Sequence, residues 1–295
     1  MSNIKILKGR KLLDFKSFVF PGGEISVKLK HDNYNFLYEN ADCSIVARLH
    51  NANDIMELIM VKDAVGRLNH IPKVPQINLL MPYVPYSRQD RVCDKGESFS
   101  LKAFCDIINS LNFNRVTICD PHSEVTPALL NNVRVISQFD LINKNLELTK
   151  RIRNTVLVSP DAGANKKTSE IAKYLEHSSF VRADKLRDLT NGNILETIVY
   201  CDNFKGKDVL VCDDICDGGR TFIELAKVCK TKNCGKFILY VTHGIFSKGT
   251  AILFNSGIDE IWTTNSFEWR LIPSEMAFHE RVKVLNLEER FTGLL

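Results

Sequence analysis

The sequence predicts an α/β fold in which mostly parallel sheets are covered by helices on both faces. Two observations carry this. Short apolar runs of strand length recur along the chain with amphipathic stretches of helix length between them, and polar clusters follow several of the runs. Strands buried on both faces read as continuous apolar runs, and parallel neighbours need a crossover such as a helix. Right-handed crossovers place functional sites at the carboxyl ends of the strands, so the polar clusters are where chemistry is expected.

The elements follow in order. Ser44 to Arg48 is short and apolar, a strand; Ile55 to Leu68 repeats its apolar residues at helical spacing. Gln76 to Met81 is a strand, Leu101 to Leu111 a helix, and Arg115 to Cys119 a strand. The second half repeats the scheme. Thr155 to Ser159 is a strand, Lys167 to Leu175 a helix, Asp208 to Cys212 a strand, Phe222 to Lys230 a helix, and Phe237 to Thr242 a strand. Val282 to Leu287 is strand-like. No Gly/Ser linker divides the chain, so the boundary is placed in the polar stretch Leu148 to Arg153. This gives domains of 1–149 and 150–295, with the last residues free to return to the first.

Composition bounds the function. A chain of 295 residues has room for two domains of ordinary size. Net charge is +4, a mild basic bias that suits phosphorylated substrates and is too weak and too evenly spread for nucleic acid. No apolar run approaches the roughly 20 residues that span a membrane, and Met1 to Lys11 lacks a signal-peptide core, so a cytoplasmic protein is expected. The nine cysteines lack zinc spacing and are read as reduced; Cys119, Cys201 and Cys212 look like small core residues.

Four clusters sit at predicted strand ends. The most informative is Asp213-Asp214-Ile215-Cys216-Asp217-Gly218-Gly219-Arg220-Thr221, placed after the apolar run Val209 to Cys212. Its glycines let backbone N–H groups approach a phosphate at a helix N-terminus. Its acids would repel free phosphate, and make sense if they hold sugar hydroxyls or a divalent cation beside it. A ribose phosphate satisfies both halves. Tyr86-Ser87-Arg88-Gln89-Asp90-Arg91 offers two guanidinium groups around an amide and an acid, a set that grips polyphosphate, though a solvated turn can look the same. Asp120-Pro121-His122-Ser123 offers a metal or phosphate ligand pair; taken alone, His122 also suits a structural role. Ser159 to Lys167 couples Asp161 to a small-residue turn and a helix start, where Lys166 and Lys167 face a diphosphate or simply water. Asp184 to Asp188, charged and followed by Asn191 to Asn193, is read as an exposed or mobile loop able to deliver Lys185 and Arg187.

Together these motifs resemble the ribose-phosphate diphosphokinase family, nearly end to end from Phe20 to about Phe267 and in the family's order. The resemblance implies two tandem phosphoribosyltransferase-type domains that bind ATP with Mg2+ at their junction. It also implies transfer of the β,γ-diphosphate of ATP to the anomeric hydroxyl of ribose 5-phosphate, with release of AMP. By the same resemblance Phe20, Glu24, Arg88, Gln89, Asp90 and His122 serve ATP, Phe20 and Glu24 across a subunit interface of a homo-oligomer. Asp120, His122 and Asp161 are implied metal ligands. Asp161, Asp213, Asp214, Asp217, Gly218, Gly219, Arg220 and Thr221 are implied to hold the ribose phosphate, and Lys185 and Arg187 match the Lys-x-Arg of the catalytic loop.

Three departures bear on specificity. Gly218-Gly219-Arg220 stands where the family usually has Thr-Ala-Gly or Thr-Gly-Gly, so a hydroxyl is lost and a guanidinium enters. Gly22 replaces an amide or acid side chain on the adenine side, and Asp188 to Asn193 replaces a proline-rich loop end. Transfer onto a larger ester such as ADP-ribose, for NAD salvage, is therefore an alternative to ribose 5-phosphate. A non-catalytic relative is disfavoured because Lys185 and Arg187 are present, and an ordinary phosphoribosyltransferase would need neither them nor Arg88 and His122. Arg220 replaces the missing threonine, reaches a second phosphate, or points to solvent.

Overall fold

The apolar runs become buried strands. The computed structural model describes residues 2–9, 11–30, 43–67, 76–177, 179–187, 194–267 and 280–288, without the side chains of 186, 187, 194 and 195. The chain divides into two compact units, Met1–Ser137 with Glu288–Leu295, and Gln138–Leu287.

In the first unit a six-stranded sheet runs in the order β2-β1-β5-β6-β7-β8. Strands β5 (Cys43–Ala47), β6 (Ile77–Leu80), β7 (Arg115–Cys119) and β8 (Val133–Ile136) are parallel. Helices α1 (Ala52–Arg67), α2 (Ser100–Ser110) and α3 (Val125–Leu129) make the crossovers. Leu58, Val61 and Val65 of α1 and Leu101, Phe104, Cys105 and Ile108 of α2 are buried against Ile45, Leu79 and Ile118 of the sheet. For α1 this matches the amphipathic pattern read for Ile55 to Leu68. At one edge β1 (Ile4–Lys8) and β2 (Lys11–Leu13) add antiparallel, and β3 (Phe15–Val19) with β4 (Ile25–Leu29) forms a separate hairpin. Glu288 completes this unit. It accepts hydrogen bonds from Lys5 Nζ at 3.0 Å and from Arg48 Nη1 at 2.9 Å. Burial alone would raise the Glu288 carboxyl, but the two cations outweigh it and hold it below the usual range.

The second unit holds a seven-stranded sheet, β11-β10-β9-β12-β13-β14-β15. Strands β9 (Val156–Ser159), β10 (Val181–Arg187), β12 (Val209–Cys216), β13 (Phe237–Gly244), β14 (Glu260–Thr264) and β15 (Val282–Leu285) are parallel. Only β11 (Ile194–Val199), paired with β10, is antiparallel. Before β9 come helices α4 (Gln138–Asn143) and α5 (Leu146–Ile152); α6 (Asn165–Tyr174), α7 (Arg220–Thr231) and α8 (Ala251–Phe254) cover the sheet.

Three local expectations are corrected. The boundary does not fall in Leu148 to Arg153: Leu148 and Ile152 are buried in the second unit's core with Ile142 and Leu157, and Asn145 caps α5 by accepting from the Leu148 N–H at 3.0 Å. The division between units therefore falls at Ser137/Gln138. Asp184 to Arg187 is strand, not loop, because β11 pairs with it antiparallel, with a bulge between Leu186 and Arg187. Asp188 and the Asn191 to Asn193 stretch lie outside the described residues. Finally β12 does not stop at Cys212, since β13 continues the ladder beside it through Cys216↔Gly244. Asp213 and Asp214 thus lie within the strand. All nine cysteines are free thiols, and among the described residues no helix is long and apolar enough to cross a membrane.

Candidate functional site

In the first unit two of the predicted clusters meet. The turn after β6 is set by Tyr86 at φ 63°, whose carbonyl accepts from the Gln89 N–H at 2.8 Å and whose ring lies 5.8 Å from that of Phe104. This sends Arg88 and Gln89 outward, both exposed, while Ser87 and Asp90 turn in. Asp120, at the end of β7, is buried with φ 38°, and its N–H donates to the Ile136 carbonyl at 2.8 Å. That bend leaves His122 exposed. Asp90 joins the clusters. Burial would raise its carboxyl, but a hydrogen bond from Ser123, the Arg91 guanidinium at 3.1 Å and the nearby His122 hold it below the usual range. Phe20 and Glu24 pair across the turn of the β3–β4 hairpin, the Phe20 N–H donating to the Glu24 carbonyl at 2.8 Å. Phe20 is 48% exposed, with its ring 5.0 Å from Phe18, and Gly22 is exposed at the same turn.

In the second unit the clusters of β9, β10 and β12 come together. Asp161 follows β9 and begins a turn whose geometry its own side chain fixes, Oδ1 accepting from the Ala164 N–H at 3.1 Å. Its Oδ2 accepts from Lys185 Nζ at 2.7 Å. Alternation along β10 explains the meeting: Ala183 and Lys185 share the covered face, leaving the Lys185 side chain 5% exposed. Burial would raise the Asp161 carboxyl, yet the Lys185 ammonium and the N–H groups of Ala164 and Gly163 hold it low. Arg187 ends β10, and only its backbone belongs to the described residues.

The pair Asp213 and Asp214 behaves oppositely. Burial, then the adjacent Asp214 charge, pushes the Asp213 carboxyl well above the usual range, and Asp161 adds to the effect. Asp213 Oδ1 accepts from the Asp214 N–H at 2.9 Å, and Gln138 Nε2 donates to the Asp213 carbonyl at 2.7 Å. The strand then turns through Asp217 and Gly218 to Gly219, which takes φ 74° directly before the first turn of α7. A Cβ at Gly219 would collide with Leu253 Cδ2, so both the conformation and the space demand glycine. Arg220 is exposed as the first residue of α7, two places earlier than expected, and Thr221 is half-buried. The arrangement offers N–H groups and a helix N-terminus to an anion, with two adjacent acids beside it, of which burial and the Asp214 charge push Asp213 up.

Sequence reasoning missed the Lys185–Asp161 pair, Ser123 as a ligand of Asp90, and Gln138. Their partners are distant in sequence, and only the strand register of β9 and β10 would have disclosed the first. Among the described residues no group of three or more His, Cys, Asp or Glu side chains is arranged to hold a metal. Magnesium suits such a site when it arrives on a nucleotide, because substrate phosphates and water supply most of its ligands.

Comparison with known proteins gives a consistent picture. A family described as the N-terminal domain of ribose phosphate pyrophosphokinase matches residues 2–111, and the phosphoribosyl transferase domain family matches residues 128–276. A ribose-phosphate pyrophosphokinase of Shewanella oneidensis is 30% identical over 253 residues, covering 84% of this chain and 76% of the relative. That of Aquifex aeolicus is 29% identical over 269 residues, covering 88% and 80%. The crystal structure of phosphoribosylpyrophosphate synthetase from Mycobacterium smegmatis superposes with a TM-score of 0.77 at 22% identity, covering 96% of this chain and 89% of that one. This likeness extends to the fold the two tandem α/β units expected from the sequence.

Proposed function

The chain belongs to the ribose-phosphate pyrophosphokinase family, and from that premise we propose that it transfers the β,γ-diphosphate of ATP to the 1-hydroxyl of ribose 5-phosphate, giving phosphoribosyl diphosphate and AMP. The observation that carries this reading is the buried Lys185 ammonium, held 2.7 Å from Asp161 near the acids Asp213 and Asp214 and a glycine turn onto a helix.

The ribose 5-phosphate sits with its phosphate on the Gly218 to Thr221 turn and its hydroxyls at Asp213 and Asp214. Asp213 retains a proton more readily than an ordinary carboxyl, so one acid of the pair donates while the other accepts, which fits vicinal hydroxyls. Attack on the β-phosphorus concentrates negative charge on the transferred group, and Lys185 with Arg187 supplies cationic charge there. On the first unit Arg88 and His122, both exposed, hold the ATP phosphates, while Asp90 orients this segment through Ser123 and Arg91. When bound, Mg2+ carried on ATP would neutralise phosphate charge; His122 of the first unit and Asp161 of the second are the candidates to hold such an ion. Asp120 is 2% exposed and better suited to shaping the turn than to ligation. The exposed tip with Val19 and Phe20 suits contact with a second copy of the chain. The proposed setting is cytoplasmic.

The test incubates the protein with ATP, Mg2+ and either ribose 5-phosphate or ADP-ribose and follows AMP release. The reading expects AMP with ribose 5-phosphate and its loss in Lys185→Ala; AMP only with ADP-ribose would transfer the assignment to the larger ester.

A further inference from the structure

The glycine turn of the second unit has a neighbour that no motif announced. Strand β13 ends at Gly244, and the chain folds back over the end of β12. The N–H groups of Ile245 and Phe246 both donate to the Cys216 carbonyl, at 2.9 and 3.0 Å. Phe246 takes φ 46°, and its buried ring covers Gly244, where a Cβ would collide with it. Gly249 closes the turn at φ 75°, donating to the Phe246 carbonyl at 2.8 Å, and buried Thr250 follows. A turn pinned on both sides fixes what lies between. Lys248 projects along the glycine turn: a Cβ at Gly218 would lie 3.5 Å from its Cε and 3.6 Å from its Cδ. The ammonium, one bond beyond Cε, is therefore close to the glycine turn. Lys248 is exposed, and among the described residues it has no carboxylate partner.

We propose that Lys248 grips the 5-phosphate of the acceptor and selects a phosphate monoester. The proposal rests on reading Asp213 to Thr221 as the acceptor site. Three acids, Asp213, Asp214 and Asp217, crowd this turn, so a dianionic phosphate needs cationic charge close by to bind among them. A lysine supplies a point charge, and its stem, already laid against Gly218, loses less freedom on binding than an unsupported side chain. A monoester concentrates two negative charges on one phosphorus, whereas a diphosphate ester carries about one on each, so the local cation favours the monoester.

Wild type, Lys248→Gln and Lys248→Arg are compared by AMP release with ribose 5-phosphate and with ADP-ribose, and by calorimetric titration of ribose 5-phosphate. Lys248→Gln is expected to raise KM and Kd for ribose 5-phosphate about tenfold or more, the size of a lost charge-assisted contact. It should leave kcat and KM for ATP within about twofold, and Lys248→Arg should recover most of the affinity. Values for ribose 5-phosphate within about twofold of wild type in Lys248→Gln overturn the Lys248 assignment and leave the acceptor-site reading standing. A larger loss on ADP-ribose than on ribose 5-phosphate overturns the monoester selectivity. A wild type that releases AMP with neither acceptor overturns the acceptor reading itself, and the titration still decides whether Lys248 binds the phosphate.

Discussion

In the first unit the cations face water and the acid is hidden: Arg91 is 75% exposed at its side chain and Asp90 only 7%. In the second the order is reversed, with Lys185 at 5% and Asp161 at 38%. Exposed cations around a buried acid attract a polyanion from a distance and rearrange to fit it, a binding arrangement weakened by salt. A buried ammonium costs desolvation and must be held by an acid, so it is a poor device for capture. It is a good one for delivering charge at a single place. On the proposed assignment the difference separates a region that collects its ligand from one that waits for it, and four measurements can break or sharpen this contrast.

The largest effect is expected from Lys185→Ala. Turnover should fall at least about a hundredfold with little change in KM for ATP, since the charge is needed where negative charge builds up. A change of only a few-fold, read by steady-state AMP release, would put the second unit on the same footing as the first. Next comes Gly219→Ala, which forces a Cβ onto Leu253 at φ 74°. A loss of about 1–3 kcal/mol in urea unfolding, with weakened acceptor binding, is expected. Arg88→Ala should raise KM for ATP roughly tenfold and steepen less with salt, while leaving KM for ribose 5-phosphate unchanged; the reverse pattern would exchange the roles of the two units.

The smallest effect concerns the acid pair. The folded state raises the Asp213 pKa, so its contribution is fully present below the unfolded carboxyl pKa and is lost as pH rises through the folded value. Asp213→Asn removes that loss. The variant should therefore melt higher than wild type at neutral pH, with the gap closing as pH falls below the ordinary carboxyl range, while acceptor affinity drops. A gap that widened on acidification would contradict the like-charge picture of the pair.

Much of the framework could be read in advance because Val, Ile and Leu runs are buried on both faces wherever a parallel sheet is covered by helices. Arg115–Cys119 coincides with its expected strand, and α1 buries the face its spacing marks. The antiparallel edges were not legible. Ile4–Lys8 is half lysine-flanked alternation, and Val181–Arg187 carries charge at four of its seven places, so its polarity reads as loop. Pairing with β9 and β11 overrides that polarity, and only pairing can bury Lys185. The acids of β12 misled in the same way, since a strand can carry carboxylates when its neighbour's ladder holds it. The glycine turn was legible because glycine before a helix has a local cause. Lys248 was not, because its relation to Gly218 is made by the return of another strand.

Glu288 bears on how the molecule is made. It is the anchor that Lys5 and Arg48 share, yet it follows the whole of Gln138–Leu287 in the chain. During synthesis the first unit emerges early and gathers its sheet, but that carboxylate reaches Arg48, 6% exposed, only after the second unit has been translated. The unit begun first is thus the one finished last. Until Glu288 is made, the early sheet lacks the one carboxylate that both Lys5 and Arg48 grip.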